Sequence, residues 1–480
     1  MSSSSKNKSH PELLHALVVL ITIIAVITSG LFAGINLHSL LLISILIASF
    51  SAFHLGYSYK NIREAMCKGI NSALPAVFIF VLIGVLIAAF IASGTLATLI
   101  YYGIEFISPA FFLPGGLLLC SFMSLATGSS WGTVGTIGVV LMGIGSTMGI
   151  PEPVIAGMVI SGACFGDKMS PMSDTTNLSA MTSKTNLYSH INSMFYTTGP
   201  SYLITLIAFT VIGLEYGSTA LPSHQLEVLQ TTLASHFNTS LITLLPLATM
   251  FVLSVARVSA EPAMMFTSII AVAIAAIIQE QSFPAILNSL YHGCSIHTGE
   301  NVLDQIFSRG GITSMMWTLS LSLIALALGG ILESCRILKV LIEFILGKVR
   351  RTAGLVAATI GSCIVGNMAM GEAYMTIILG GQLFGEAYDS KGIDRRVMSR
   401  SLEEGATLTS GLIPWTTGGA FFASTLGVSV LDYAPWALLN WLNLVVSIAM
   451  AYMGIALFKI KSSSGHPTDP VFNSALKTAV

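Results

Sequence analysis

Apolar residues run along this chain in long blocks separated by short polar stretches. Residues 73–93 (ALPAVFIFVLIGVLIAAFIAS), 312–332 and 435–458 are blocks with almost no charge. About 20 apolar residues at 1.5 Å rise span the roughly 30 Å hydrocarbon core of a bilayer. The pattern predicts some fourteen crossings, at 13–30, 37–55, 73–93, 109–127, 130–148, 153–180, 188–214, 239–256, 260–279, 312–332, 353–370, 373–387, 398–427 and 435–458. Some are short or interrupted, so the expected number is twelve to fourteen. So many apolar helices exceed what one soluble core can hold, and the alternating short segments of a transmembrane β-barrel are absent. The expected fold class is therefore an all-α polytopic membrane protein.

Sequence similarity between the halves suggests how the spans are organised. "IASGTLATLIYYGIEFI" (91–107) resembles "ALGGILESCRILKVLIEFI" (327–345), "TGSSWG" (127–132) falls opposite "GNMAMG" (366–371), and Pro171 in "MSPMSDTT" matches Pro414 in "GLIPWTTGG". The second amphipathic segment carries Arg336, Lys339, Lys348, Arg350 and Arg351, whereas the first has no basic residue. Under the positive-inside rule the two lie on opposite faces, which predicts two inverted five-span repeats with broken helices or hairpins. The expected divisions are N-terminal spans 1–60, repeat one 61–215, a connecting loop and two linking spans 216–311, repeat two 312–458, and a tail 459–480. With both termini inside, cytoplasmic segments hold 19 of the 21 Lys and Arg residues. The outer loops hold only Arg309, and Lys168 lies within a span.

Composition narrows the functions. The chain is 54% hydrophobic and 9% charged, with a net charge of −1 and no basic tract, so the bilayer is an expected partner and nucleic acid is not. Cysteines 67, 120, 164, 294, 335 and 363 lack the spacing of a disulfide framework or metal site and read as packing residues. The block at 13–30 follows Lys6 and Lys8 as a signal peptide would. It is long and a second span follows at once, so it reads as a retained helix.

The chemistry gathers where charge interrupts apolar helix. In "GACFGDKMSPMSDTTNLSA" (162–180), Pro171 lacks an N–H and clashes with the carbonyl of Asp167, so the helix should break between 167 and 174. Carbonyls freed near Asp167 and Lys168, the carboxylates of Asp167 and Asp174, the hydroxyls of Ser173, Thr175 and Thr176, and the amide of Asn177 would form an oxygen-rich cage for a hard cation. Asp174 is the first choice for a buried carboxylate over which Na⁺ and H⁺ compete. Lys168 reads as a charge partner. The alternative reading is a surface loop rich in turn formers, beginning near 170. The opposing half would supply Thr407, Thr409, Ser410, Thr416 and Thr417 around Pro414, with Glu372 and Asn367. Ser129, Ser130 and Thr133 would line the pathway. Glu372 reads equally as an outer turn, and Glu403, Glu404, His190 and His292 as solvated residues at membrane edges.

The strings "TGSSWGTVGTIG", "FGDKMSPMSDTTN" and "GLIPWTTGGAFFASTLG" closely resemble signature stretches of the NhaC family of Na⁺/H⁺ antiporters, in order along most of the chain. The resemblance implies an inverted-repeat transporter with an elevator-like movement, exporting sodium against inward protons across a bacterial inner membrane. It also implies relatives that exchange organic acids such as malate and lactate. The second half departs from the family: Glu372-Ala373-Tyr374 replaces an Asp-Gln-Tyr triplet, and Thr416 stands for the Asn of "IPWN". These changes bear on ion selectivity and on the transported partner. The rival reading is a Na⁺- or H⁺-coupled exchanger of a small organic anion or amino acid, bound at half-helix N-termini. HExxH is absent, and the lone GxSxG pattern, Gly128 to Gly132, has no paired His/Asp arrangement inside the spans, so an enzyme is not expected, nor a cofactor beyond transported Na⁺. An outward amphipathic surface leaves a homodimer open.

Overall fold

The computed structural model describes residues 11–71, 74–106, 108–218, 223–256 and 258–459. The first ten residues and all but the first residue of the expected C-terminal tail lie outside these. The described chain is helical, with one isolated bridge between Ile393 and Lys459 and no strand. Six helices are long and apolar enough to cross a membrane on their own, and three bent helix pairs bring the number to nine. The expected twelve to fourteen crossings counted in addition short helices such as Leu245–Val255, and two helices that are broken.

Landmarks recur in the two halves at matching positions. A helix bends at Gly94, with φ of 73°, and another at Arg336, with φ of 58°. Pro109–Thr127 ends on Gly128 (φ 68°), and Thr352–Met370 ends on Gly371 (φ 70°). Both glycines occupy the left-handed region that terminates a helix without a Cβ penalty. The next residues, Ser129 and Glu372, are extended and cap the returning arms with their side chains. Each half thus holds a helical hairpin. After each hairpin comes a broken helix, Glu152–Met169 with Asp174–Thr182, and Arg395–Ser410 with Thr417–Leu426. The half-helices are capped by Ser173 and Thr416, again 243 residues apart, as are the two hairpin glycines.

The prolines explain the breaks. Ser170 is extended ahead of Pro171, because the residue before proline is pushed out of the helical region. Around Pro414 the chain turns from Gly411 to Thr416. Both hairpin tips turn back inside the protein: residues 128–130 and 371–374 are buried or half-buried apart from Tyr374. Glu372 is therefore not an exposed outer turn. An apolar 19-residue helix reads from composition as a crossing whether its end emerges or stops at an internal cavity.

Packing forms three main clusters. The largest joins Leu74–Ala92, the first hairpin and the first broken helix. A second holds Leu13–Phe32 and Leu37–His54 against Ile312–Ser334. The third surrounds the second hairpin and the second broken helix. Outward-facing Leu, Ile, Val and Phe side chains along the spans, such as Ile21, Leu203 and Ile269, suit a lipid environment.

Candidate functional site

Both hairpin tips and both helix breaks converge on one cavity of about 560 Å³. From the first half come Thr127–Trp131, Asp167, Lys168 and Met172–Thr175, and from the second Glu372–Tyr374, Thr407, Ser410 and Thr417. Val258, Ser259 and Glu261 complete the wall.

Asp167 lies on the last turn of the first broken helix and is half-buried. Its Oδ2 accepts a hydrogen bond from Ser130 Oγ at 2.7 Å. Lys168, next in sequence, is fully buried, and its Nζ donates to Thr407 Oγ1 at 3.4 Å. Its ammonium is within electrostatic reach of Glu403, Glu404 and Asp167. Asp174 differs from expectation. It opens the half-helix Asp174–Thr182 and lines the cavity, but it is exposed, on the rim beside Glu261. The helix break turns it toward the opening, so Asp167 is the more enclosed carboxylate.

Several main-chain oxygens at the two breaks have polar side chains or N–H groups close by. The single hydroxyl hydrogen of Thr176 lies nearest Glu403 Oε1, at 3.1 Å, with the carbonyls of Asp167 and Lys168 at 3.4 Å, and the Asp167 carbonyl accepts from Ser170 N at 3.2 Å. Asn177 is exposed outside the cavity wall, and its amide donates to the carbonyls of Pro171 at 2.9 Å and Ser173 at 2.8 Å. In the second half, Thr416 Oγ1 donates to the carbonyls of Ser410 and Ile413 while accepting from Gly419 N. Buried carbonyls demand partners, and the cap residues next to each break are the nearest donors. The cavity also presents a set of side-chain oxygens.

The other expected residues divide by position. Ser129, Ser130, Ser173, Thr175, Thr407, Ser410 and Thr417 line the cavity. Thr133 and Thr409 are buried behind it, donating to the carbonyls of Ser129 and Gly405. Asn367 is also behind it, its amide donating to Ala406 O at 2.6 Å and to Thr409 Oγ1 at 2.9 Å. Glu372 caps the second hairpin and accepts from Thr417 Oγ1 at 2.6 Å.

Three residues read as solvated are fully buried: His190, Glu403 and Glu404. Glu403 Oε1 accepts from Thr175 at 3.2 Å and Thr176 at 3.1 Å, which turns those hydroxyls toward the second half. Arg400, counted above with the cytoplasmic basic residues, is buried too and donates to Ser193 and Ala456. His292 is exposed, as expected. A sequence signal for these buried groups exists. His190, Ser193, Thr197, Ser201 and Thr205 recur every three or four residues, and so do Arg400, Glu403, Glu404 and Thr407, so each set is a polar stripe along one helix face. Among the described residues, no group of three or more His, Cys, Asp and Glu side chains is arranged to hold a metal ion. The oxygen set around Asp167 is one carboxylate with several hydroxyls.

Comparison with known proteins finds relatives along nearly the whole chain. Residues 12–164 and 162–455 match the model of the Na⁺/H⁺ antiporter family. The chain is 38% identical over 438 residues to the Na⁺/H⁺ antiporter NhaC of Alkalihalophilus pseudofirmus, covering 91% of this chain and 94% of that protein. It is 36% identical over 455 residues to a malate-2H⁺/Na⁺-lactate antiporter of Bacillus subtilis, covering 95% and 97%. An arginine/ornithine antiporter, ArcD, of Halobacterium salinarum is 34% identical over 405 residues, covering 84% of each chain.

Proposed function

The chain belongs to the Na⁺/H⁺ antiporter family, an integral membrane protein of secondary active Na⁺/H⁺ exchange, and from that premise we propose that the exchange takes place at Asp167 in the cavity between the two hairpin tips. The observation that carries the proposal is the Ser130–Asp167 contact beside buried Lys168. A carboxylate removed from bulk water binds one positive charge at a time, proton or sodium, because its single negative charge is what makes either ion's stay favourable. Ser129, Ser130 and Ser173 offer neutral oxygens to complete a sodium shell, whereas Thr175 and Thr176 are committed to Glu403. Mutually exclusive occupancy converts an inward proton gradient into sodium export.

Along the sequence, Asp174 and Glu261 lie close to the segments 181–187 and 257–259, which the basic-residue bias assigns to the cytoplasm. In our reading the protein sits in a bacterial cytoplasmic membrane with both termini inside, and its cavity opens inward. Release on the other side then requires movement of the hairpins and broken helices relative to the remaining spans, as repeat-built transporters achieve by rocking or gating of one bundle against another.

A second reading rests on volume. About 560 Å³ falls within the roughly 300–1,000 Å³ of small-molecule sites, far more than one cation fills. It favours an organic acid or amino acid exchanged together with the ions, the class named for two of the relatives. Reconstitution into proteoliposomes tests both. An imposed sodium gradient should move protons with no organic solute present. Flux that starts only when malate, lactate, arginine or ornithine is added would replace simple antiport with coupled exchange.

A further inference from the structure

The buried stripe on Leu187–Ser218 faces the second broken helix, and hydrogen bonding accounts for much of it. Thr197 donates to Glu404 Oε1 and Ser447 to Glu404 Oε2, each at 2.5 Å, and Ser193 accepts from Arg400. His190 is different. Its Nδ1 lies 2.6 Å from Ser399 Oγ, and its Nε2 lies 3.1 Å from Glu403 Oε2. The second approach is close but not aligned as a hydrogen bond, and neither atom has another hydrogen-bond partner among the described residues. A base and an acid are thus left facing one another, fully buried. The other oxygen of Glu403 is tied through Thr175 and Thr176 to the cavity wall.

Two arguments distinguish this pair from ordinary packing. An imidazole has two ring nitrogens, each of which can carry or lack hydrogen. The Ser399 hydroxyl donates to Nδ1 when that nitrogen is bare and accepts from it when it carries hydrogen, so the site suits either protonation state without backbone movement. The second argument is charge. Among the described residues, the fully buried ionisable groups of opposite sign are Glu372, Glu403 and Glu404 against Lys168 and Arg400. One negative charge is left over, and the cost of burying it unmatched favours binding of a proton by the set. A proton shared by His190 and Glu403 matches it, while the half-buried Asp167 is matched separately by sodium or by its own proton.

We propose that His190 and Glu403 form a second proton-binding site, behind the cavity wall and distinct from the carboxylate that sodium occupies, which gives the exchange cycle a second protonation step. The proposal rests on the cavity being the exchange site. The charged and titratable groups around the pair are Arg400 and Glu404 on its partner helix, Lys168 and Asp167 on Glu152–Met169, Asp174 at the start of the half-helix, on the rim, and buried Tyr388 on Ala373–Ser390, whose Glu386 and Asp389 are exposed. Pro109–Thr127 and Leu438–Tyr452, which also pack against Leu187–Ser218, carry no charged side chain. Two coupled protons titrate as properties of the set, so the readout is the number of steps.

The test is the pH dependence of sodium-driven proton flux in proteoliposomes for the full-length chain, His190→Gln and Glu403→Gln. The wild type should show a limiting slope of about two in log flux against pH, and each variant a slope of about one, because slope counts linked protons. A merely structural His190 would lower flux at every pH and leave the slope at about two; that result overturns the proposal. If neither variant folds, proton release on adding sodium to the detergent-solubilised wild type decides: two ionisations support the pair and one removes it. Failure of the cavity reading looks different. It would appear as undiminished flux in Asp167→Asn, whatever the slope in the His190 variant.

Discussion

Ser130 Oγ donates to Asp167 Oδ2 at 2.7 Å and thereby ties the tip of the first hairpin to the last turn of the broken helix that follows it. One side of the contact is a buried hydroxyl, and the other is a carboxylate open to the cavity. A cation or proton arriving at Asp167 therefore acts on a joint between two elements. That is how ion occupancy can bias the position of the hairpin.

Asp167→Asn preserves size and can still accept from Ser130, but it carries no charge to exchange. Neither ion has a charge left to bind, so sodium-driven proton flux should fall by at least about tenfold, equivalent to ~1.4 kcal/mol. Ser130→Ala leaves the charge in place and should raise the half-saturating sodium concentration about 3- to 10-fold. Quenching of a pH-sensitive dye inside proteoliposomes measures both. Full flux in Asp167→Asn would remove this carboxylate from the mechanism.

Asp174 should behave otherwise. It stands on the exposed rim, where charge acts at a distance through water and is screened by salt, with a Debye length of about 10 Å at 0.1 M and 3 Å at 1 M. Asp174→Asn should reduce sodium uptake no more than about threefold at low ionic strength, as expected of exposed charges worth ~1 kcal/mol or less. The deficit should vanish when ionic strength is raised with choline chloride. Abolished flux at every salt concentration would mean that Asp174, and not Asp167, holds the ion.

Much of this site was legible in the residue order. Pro171 and Pro414 each predict a broken helix, and each break lies at the expected place, whereas Pro114 and Pro200 stay inside continuous helices, so the polar residues around the proline were part of the signal. What happens to the freed carbonyls was not legible. Thr176, Asn177 and Thr416 look like cage oxygens in sequence, yet Asn177 and Thr416 each donate to a carbonyl near their own break and Thr176 lies nearest Glu403, and only coordinates decide which way a rotamer points. His190, Glu403 and Glu404 were misread for another reason. Charged or basic residues near the end of an apolar block are usually solvated. Here two helix ends bury against each other, a long-range contact that block ends do not encode.

The first broken helix crosses the first hairpin closely, and Gly166 sits at the crossing. A Cβ there would lie 2.4 Å from Ser121 O and 2.5 Å from Leu125 N, both main-chain atoms that cannot rotate away. Gly162, one turn earlier, is similarly close to Leu117 O, which makes a small-xxx-small contact. Gly166→Ala must push the helices apart and displace Asp167, one residue on. Overpacking of this kind costs roughly 1–3 kcal/mol, so the variant should melt earlier in detergent and also lose sodium affinity. An unchanged thermal midpoint would show that the helices are not held at this distance.

Glu372 and Thr417 form the corresponding joint of the second half, with the carboxylate on the hairpin tip and the hydroxyl on the half-helix. Thr417 Oγ1 donates to Glu372 Oε2 at 2.6 Å, and the main chain repeats the link through Thr417 N to Gly371 O at 2.9 Å. Glu372 Oε1 also caps its own helix through Tyr374 N, so both carboxylate oxygens already have donors. Thr417→Val removes one donor and leaves a charged oxygen buried, at a cost of roughly 1–3 kcal/mol, whereas Thr417→Ser keeps the donor and should cost far less. Glu372→Gln made on the Thr417→Val background should recover part of the loss, because an unpaired amide is cheaper to bury than an unpaired carboxylate. Thermal midpoints of the two single variants and the double variant form a cycle whose coupling should be about 0.5–3 kcal/mol for residues in contact. Additive effects would mean that the two side chains do not depend on each other, and that the main-chain link alone holds the second tip to its broken helix.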